Sequence, residues 1–258
     1  MATALTCLRL FGDLPANPTW EQVQAEYETV GRNLGARPIE HLINLPLGTD
    51  PELRAAMDML SVLITPAYFT DFHFYCLLVC RMVNLSMQHG TSGATAHAYG
   101  RLGTLLGPAF HRYPEGYRFA QLACDLVEKH RFIAYEAKVH HAMGWVALWT
   151  QPIAKAIDSN RAAFRAASES GDLSYACLSM FQSLIGLLLR NDPLDAAWRE
   201  SEKSLDFARK AKFRRAENFT VSQQRFIATM LGRTRTFSTC SDAQFDEATF
   251  EAQLTGRR

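Results

Sequence analysis

Four groups of side chains in this 258-residue sequence have types and spacings that could do chemistry. His73, Cys76 and Cys80 stand at i, i+3 and i+7 of one apolar stretch, which puts soft ligands on one face of a helix. They are embedded in FHFYCLLVC, and no fourth ligand has an obvious source, so core packing accounts for them better than a metal does. Four histidines, His97, His130 and the neighbours His140 and His141, are candidates for general-base work near neutral pH. Adjacent helical residues point about 100° apart, so one groove can use only one of the last two. No acid-plus-nucleophile partner stands beside either.

The third group is the basic run RKAKFRR, containing Arg209, Lys210, Lys212, Arg214 and Arg215. It could hold a phosphate or an acidic partner. Cations at the C-terminal end of a helix also complement its dipole, and that explanation serves the run better. The fourth group is aromatic: Tyr68, Phe69, Phe72, Phe74 and Tyr75, then Trp145 and Trp149. Helical spacing makes most of these inter-helix core, with a few left to anchor a peptide or domain in a groove. None of the fifteen glycines precedes a lysine, which removes GxxxxGK, and GxGxxG, GxSxG, HExxH and EF-hand loops are also absent. The sequence therefore assigns no catalytic, cofactor-binding or metal residue, and the segment reads as non-enzymatic.

The elements holding these residues are helices. Apolar positions recur at three- and four-residue spacing through 51–64, 68–89, 94–106, 115–130, 133–149, 153–169, 173–189, 194–211 and 214–231. A further helix spans Trp20 to Leu34, capped by Asn17-Pro18-Thr19, and 35–50 reads as an irregular insertion. The helices form pairs with a common period. Pro66, Pro108, Pro152 and Pro193 follow the first helix of successive pairs at intervals of 42, 44 and 41. Gly100, Gly144 and Gly186 lie within first helices, where a glycine costs about 1 kcal/mol and marks close backbone approach. Phe132, Leu173 and Phe213 mark the ends of the second helices.

An all-α solenoid of antiparallel helix pairs follows, tetratricopeptide-like but with a repeat of about 41–44 residues and a concave surface. We assign 1–232 to the solenoid and 233–258 to an extension leading into a further repeat. Both ends read as unfinished: residues 4–10 as the last turns of a first helix, and Phe245, Phe250 and Leu254 as a helical face awaiting a partner. Exposed apolar surface there, and around Leu5, Leu8 and Leu10, predicts self-association.

Composition agrees. Apolar residues make up 48%, and a net charge of +1 gives no reason to expect nucleic acid. The longest apolar runs, about six residues, fall short of the roughly 18 a membrane span needs. No basic leader opens the sequence, and six cysteines without a CxxC pair read as reduced thiols of a cytoplasmic protein.

With the repeats laid out, the chain resembles the helical-repeat region of large bacterial proteins that join a serine/threonine kinase-like domain, an AAA/STAND-type ATPase, a GAF domain and a sensor histidine kinase. The runs that carry the match are LRLFGDLPANPTWEQVQAEYETVGRNLG (8–35), FHFYCLLVCRMVNLSMQHG (72–90), SGATAHAYGRLGTLLGPAFHRYPEGYRFAQLACDLVEKH (92–130) and ATMLGRTRTFSTCSDAQFDEATFEAQLTG (228–256). The family's ATP-binding motif lies upstream and its phospho-accepting histidine downstream, so the resemblance carries over no catalytic residue or cofactor. It implies a scaffold and relay between the ATPase and sensor-kinase modules, with neighbouring domains or a peptide as partners. A free-standing adaptor, or the effector-binding repeats of a STAND-type regulator, is the alternative.

Overall fold

A computed structural model describes residues 14–255, which are helical almost throughout; among the described residues there is no strand beyond one isolated bridge. The helix end expected at residues 4–10, with Leu5, Leu8 and Leu10, lies outside the described residues, as does Cys7. The fold is all-α, and within each of its two parts consecutive antiparallel helices pack in pairs, as in helical-repeat proteins. The chain divides at Pro152 and Ile153 into two compact units.

Unit 1 begins with α1 (Trp20–Leu34), closed by a capping box in which Gln22 N–H donates to Thr19 Oγ1 and Thr19 N–H to Gln22 Oε1. There follow α2 (Pro51–Thr70), α3 (Phe72–His89), α4 (Gly93–Phe110), α5 (Tyr113–His130) and α6 (Ile133–Thr150). Unit 2 holds α7 (Ile153–Ser170), α8 (Leu173–Leu189), α9 (Leu194–Lys210), α10 (Arg214–Met230) and the short α11 (Glu247–Thr255).

The turns explain the period. Arg131, Gly171, Asn191, Lys212 and Gly232 all adopt left-handed φ between 54° and 74°. After each of them the next amide reaches back to a carbonyl five residues earlier, as in Phe132 N–H to Val127 O and Phe213 N–H to Ala208 O, both 3.1 Å. That is the Schellman closure, which satisfies carbonyls the helix end leaves open. Successive closures are 20 or 21 residues apart, except that Gln151, midway between Arg131 and Gly171, is extended at φ −134° because Pro152 follows. The repeat is thus two half-repeats of one helix and one turn.

Two of the four periodic prolines do not sit in turns. Pro66 and Pro108 lie inside α2 and α4, which run on to Thr70 and Phe110. Each falls near a helix C-terminus, so it removes one hydrogen bond of the ladder and the chain breaks later, at Asp71 and His111. Asp71 makes the first break sharp by capping α3, its carboxylate accepting from Phe74 N–H at 3.0 Å.

Within unit 1, α4 packs on α5, on α6 and on α3, and also touches α2. This central position selects its small residues, Gly93, Ala94, Ala96, Ala98, Gly100, Gly103 and Gly107, all buried. A Cβ added at Gly100 would stand 3.2 Å from the Ala142 Cβ of α6, the close approach expected there. The tightest contact is between Gly103 of α4 and Gly116 of α5: a Cβ on either would lie 2.6 Å from the other's carbonyl oxygen. The insertion before α2 is ordered around a 3-10 helix, η1 (Ile39–Asn44), which buries Ile39 and Leu42 and packs on α5. It then crosses the α3–α4 turn, where Gly48 N–H donates to Thr91 O and Thr91 N–H to Pro46 O.

Between α1 and α3, Arg81 makes two bonds to the Glu26 carboxylate at 3.0 and 2.9 Å, and Asn84 adds a third at 2.7 Å. These side chains are largely buried, unlike the Arg118–Glu40 pair near η1, whose exposure limits it to a small contribution.

Unit 2 packs more finely. Alanines fill its helix crossings, among them Ala156, Ala163, Ala167, Ala176, Ala197, Ala208 and Ala228, with Ile157, Tyr175, Leu184 and Ile227 among the larger buried groups. Gly186 again marks an approach, since a Cβ there would lie 2.7 Å from Ile157 Cγ1. Phe245, Phe250 and Leu254 do not share one helical face as expected: Phe245 precedes α11 and folds back under the Arg225 guanidinium of α10, 4.7 Å away. Its ring lies 5.4 Å from Phe250, and both rings are half-buried while Leu254 is exposed.

Candidate functional site

The proposed soft-ligand face is split by burial. His73 is exposed, with its ring 5.6 Å from Trp20 and Nδ1 3.3 Å from Pro18 O. Cys76 and Cys80 lie in the core at no exposure. Burial pushes the Cys76 thiol up to about 12 and the Cys80 thiol further, so both stay protonated rather than becoming thiolate ligands. Among the described residues no group of three or more histidine, cysteine or acidic side chains is arranged to hold a metal ion.

The histidines separate too. His130 stacks on Phe132 and His140 sits near Glu136, both half-buried, whereas its neighbour His141 turns inward. His141 of α6 joins His97 and Arg101 of α4 in a polar cluster between α2, α3, α4 and α6. Ser61 Oγ lies 2.8 Å from His97 Nδ1. Arg101 Nε donates to the Tyr75 hydroxyl at 3.0 Å, and its guanidinium lies over the rings of Tyr68 and Tyr75 at 5.4 and 5.2 Å. Beside them Tyr135 donates to Asp58 at 2.7 Å, and Lys138 stands over the Tyr135 ring at 4.8 Å.

Burial first, and then the nearby cations Lys138 and Arg101, hold His97 well below the ordinary histidine range. Burial, followed by Arg101, lowers His141 to about 3. Both imidazoles are neutral at pH 7. A serine hydroxyl on a neutral imidazole is also the first contact of a nucleophile–base pair. Here the residues are 3% and 1% exposed, so no acyl or phosphoryl group can approach the hydroxyl. The cluster ties helices together. Its members Ser61, Arg101, Asp58 and Tyr135 escaped the sequence reading, although an arginine four residues after a histidine in the otherwise apolar GATAHAYGRLG was a signal for it.

The aromatic set divides as the helices dictate. Phe74 and Tyr75 are core; Tyr68, Phe72 and Trp149 reach the surface, Trp149 edge-on to Tyr113 at 5.8 Å.

The basic run straddles a turn. Arg209 and Lys210 end α9, where they complement its dipole, and pair with Glu217 at 3.0 Å and Asp206 at 2.6 Å. Arg214 and Arg215 open α10, at the end where the dipole disfavours cations. Alongside lies an open groove of about 500 Å³, lined by Leu205 and Arg209 of α9, Arg214, Val221 and Arg225 of α10, and Phe245 beyond it. Among the described residues no helix is long and apolar enough to cross a membrane. A scan against protein-family models and a search of curated proteins gave no match to the chain.

Proposed function

We propose that the chain is a non-catalytic helical-repeat scaffold that makes protein or domain contacts. Following the resemblance of its sequence, it relays signals between the ATPase and sensor-kinase modules of a cytoplasmic bacterial signalling protein. One observation carries the interaction reading. His97, His141, Cys76 and Cys80 are buried between helices, while apolar groups stand exposed along several of them: Val62 at 70%, Phe72 at 46%, Leu189 at 56% and Phe226 at 52%. Within each unit consecutive helices pack on one another, and a stack of that kind passes a displacement along its length, which suits a relay. Exposed apolar groups on α2 and α10 also support self-association.

The test is direct. The ATPase and sensor-kinase modules encoded in the same reading frame are produced separately and titrated with this chain by calorimetry. Saturable binding to either supports the scaffold. Failure of both to bind, or a frame encoding neither, refutes the relay, and a terminal helix-turn-helix there favours the STAND-regulator alternative.

A further inference from the structure

The groove of unit 2 displays its own mode of recognition. Asp242 accepts a hydrogen bond from Arg225 Nη1 at 2.5 Å, and three residues later the Phe245 ring lies under the same guanidinium. That hydrogen bond, with the backbone N–H groups of Gln244 and Phe245 on the same carboxylate, holds the Asp242 carboxyl below its usual range. An acidic residue followed by an aromatic one is therefore a combination this wall accepts in cis.

Among the described residues no such segment fills the rest of the groove, which carries the same chemistry. Leu205, Val221 and Phe250 give it apolar lining, and Arg209 and Arg214 stand on its rim. Its carboxylates are already committed, Asp242 to Arg225 and Glu217 to Arg209. Arg214 is exposed, makes no ion pair with any described residue, and stands first in α10, where the open N–H groups add positive potential. At about 500 Å³ the groove has the size of a ligand site and far exceeds what a lone ion fills.

We propose that this groove binds an acidic peptide segment with an apolar anchor, the anchor on Leu205, Val221 and Phe250 and a carboxylate on Arg214. The site refines the interaction reading above by giving the partner's chemistry.

The probe is a fluorescein-labelled peptide, Glu-Glu-Asp-Ala-Leu-Phe, with Lys-Lys-Lys-Ala-Leu-Phe as counterpart, followed by anisotropy on the full chain. The acidic peptide is expected to bind, more weakly as salt rises, and the basic one not to. R214E should weaken binding about tenfold or more, the loss of one charge-assisted contact. It leaves folding intact, since an acidic residue suits a helix start. V221W, which fills the groove, should abolish binding, and S222A should not change it. No binding by the wild type, equal binding of both peptides, an unchanged affinity in R214E, or displacement by inorganic phosphate as effective as unlabelled acidic peptide would each overturn the proposal. These outcomes leave the titrations with the flanking modules untouched, so the groove and the scaffold reading fail separately.

Discussion

The Gly103–Gly116 contact predicts that one substitution, glycine to alanine, has opposite signs at two helical positions of unit 1. At Gly31 of α1 an added Cβ meets nothing within 4 Å and φ is ordinary, so alanine brings only its helix propensity and a narrower unfolded ensemble. G31A should stabilise by about 1 kcal/mol. At Gly103 the same propensity gain is present, but the Cβ would stand 2.6 Å from Gly116 O and 3.2 Å from both Ala120 N and Ala120 Cβ. Backbone atoms cannot turn aside as a side chain can.

To restore ordinary contact, α4 and α5 must part by roughly 0.8 Å, a gap that already forfeits a quarter to a half of each dispersion contact along the seam. Overpacking of this kind costs about 3 kcal/mol, leaving G103A about 2 kcal/mol less stable than the wild type after the propensity gain. Urea unfolding followed by circular dichroism, with the slope checked for constancy, reads both changes. A G103A chain as stable as the wild type would refute the claim that backbone proximity selects glycine here. A destabilised G31A would refute the propensity baseline against which it is measured.

Stability should fall on acidification from pH 7 to 5, by about 2 kcal/mol from His141 and by a further amount from His97, because the folded-state affinity of both for protons is lowered. The contribution is whole above the unfolded value near 6.5 and is lost as pH drops below it; the double variant H97Q/H141L should flatten that slope in denaturation across pH. E26A should cost about 2 kcal/mol in urea unfolding, since it strands the largely buried Arg81 and removes one of the hydrogen bonds of Asn84, whereas E40A should cost less than about 1 kcal/mol. In a Cys7→Ser background, native protein should give Ellman's reagent the half-buried Cys124 and Cys240 ahead of the core thiols Cys76, Cys80 and Cys177, all three of which burial pushes up.

What could be read in the sequence was whatever depends on neighbours in the chain. The apolar period over 133–149 became Ile133–Thr150, and Asn17-Pro18-Thr19 did cap Trp20–Leu34, because a helix and its cap are settled within a few residues. Pro66 and Pro108 misled for the opposite reason. A proline reports only its missing N–H, and whether that ends a helix depends on how near the end already is.

Contacts across helices were less legible. Gly100 and Gly186 were found by their period, but Gly103 and Gly116 carry no period and become a pair only when α4 and α5 are known to cross there. His97, His141 and Arg101 illustrate the same limit at the level of chemistry. Their residue types suggest a general base, and their depth turns them into a polar tie between helices. The basic run had an adequate local explanation in the dipole of α9, and for Arg209 and Lys210 it holds. For Arg214 it does not, because the turn at Lys212 hands that residue to the next helix and reverses the dipole beside it. A cation placed against the local field, on the rim of a groove whose far wall already clasps an acid and an aromatic ring, is better accounted for by a partner than by its own helix.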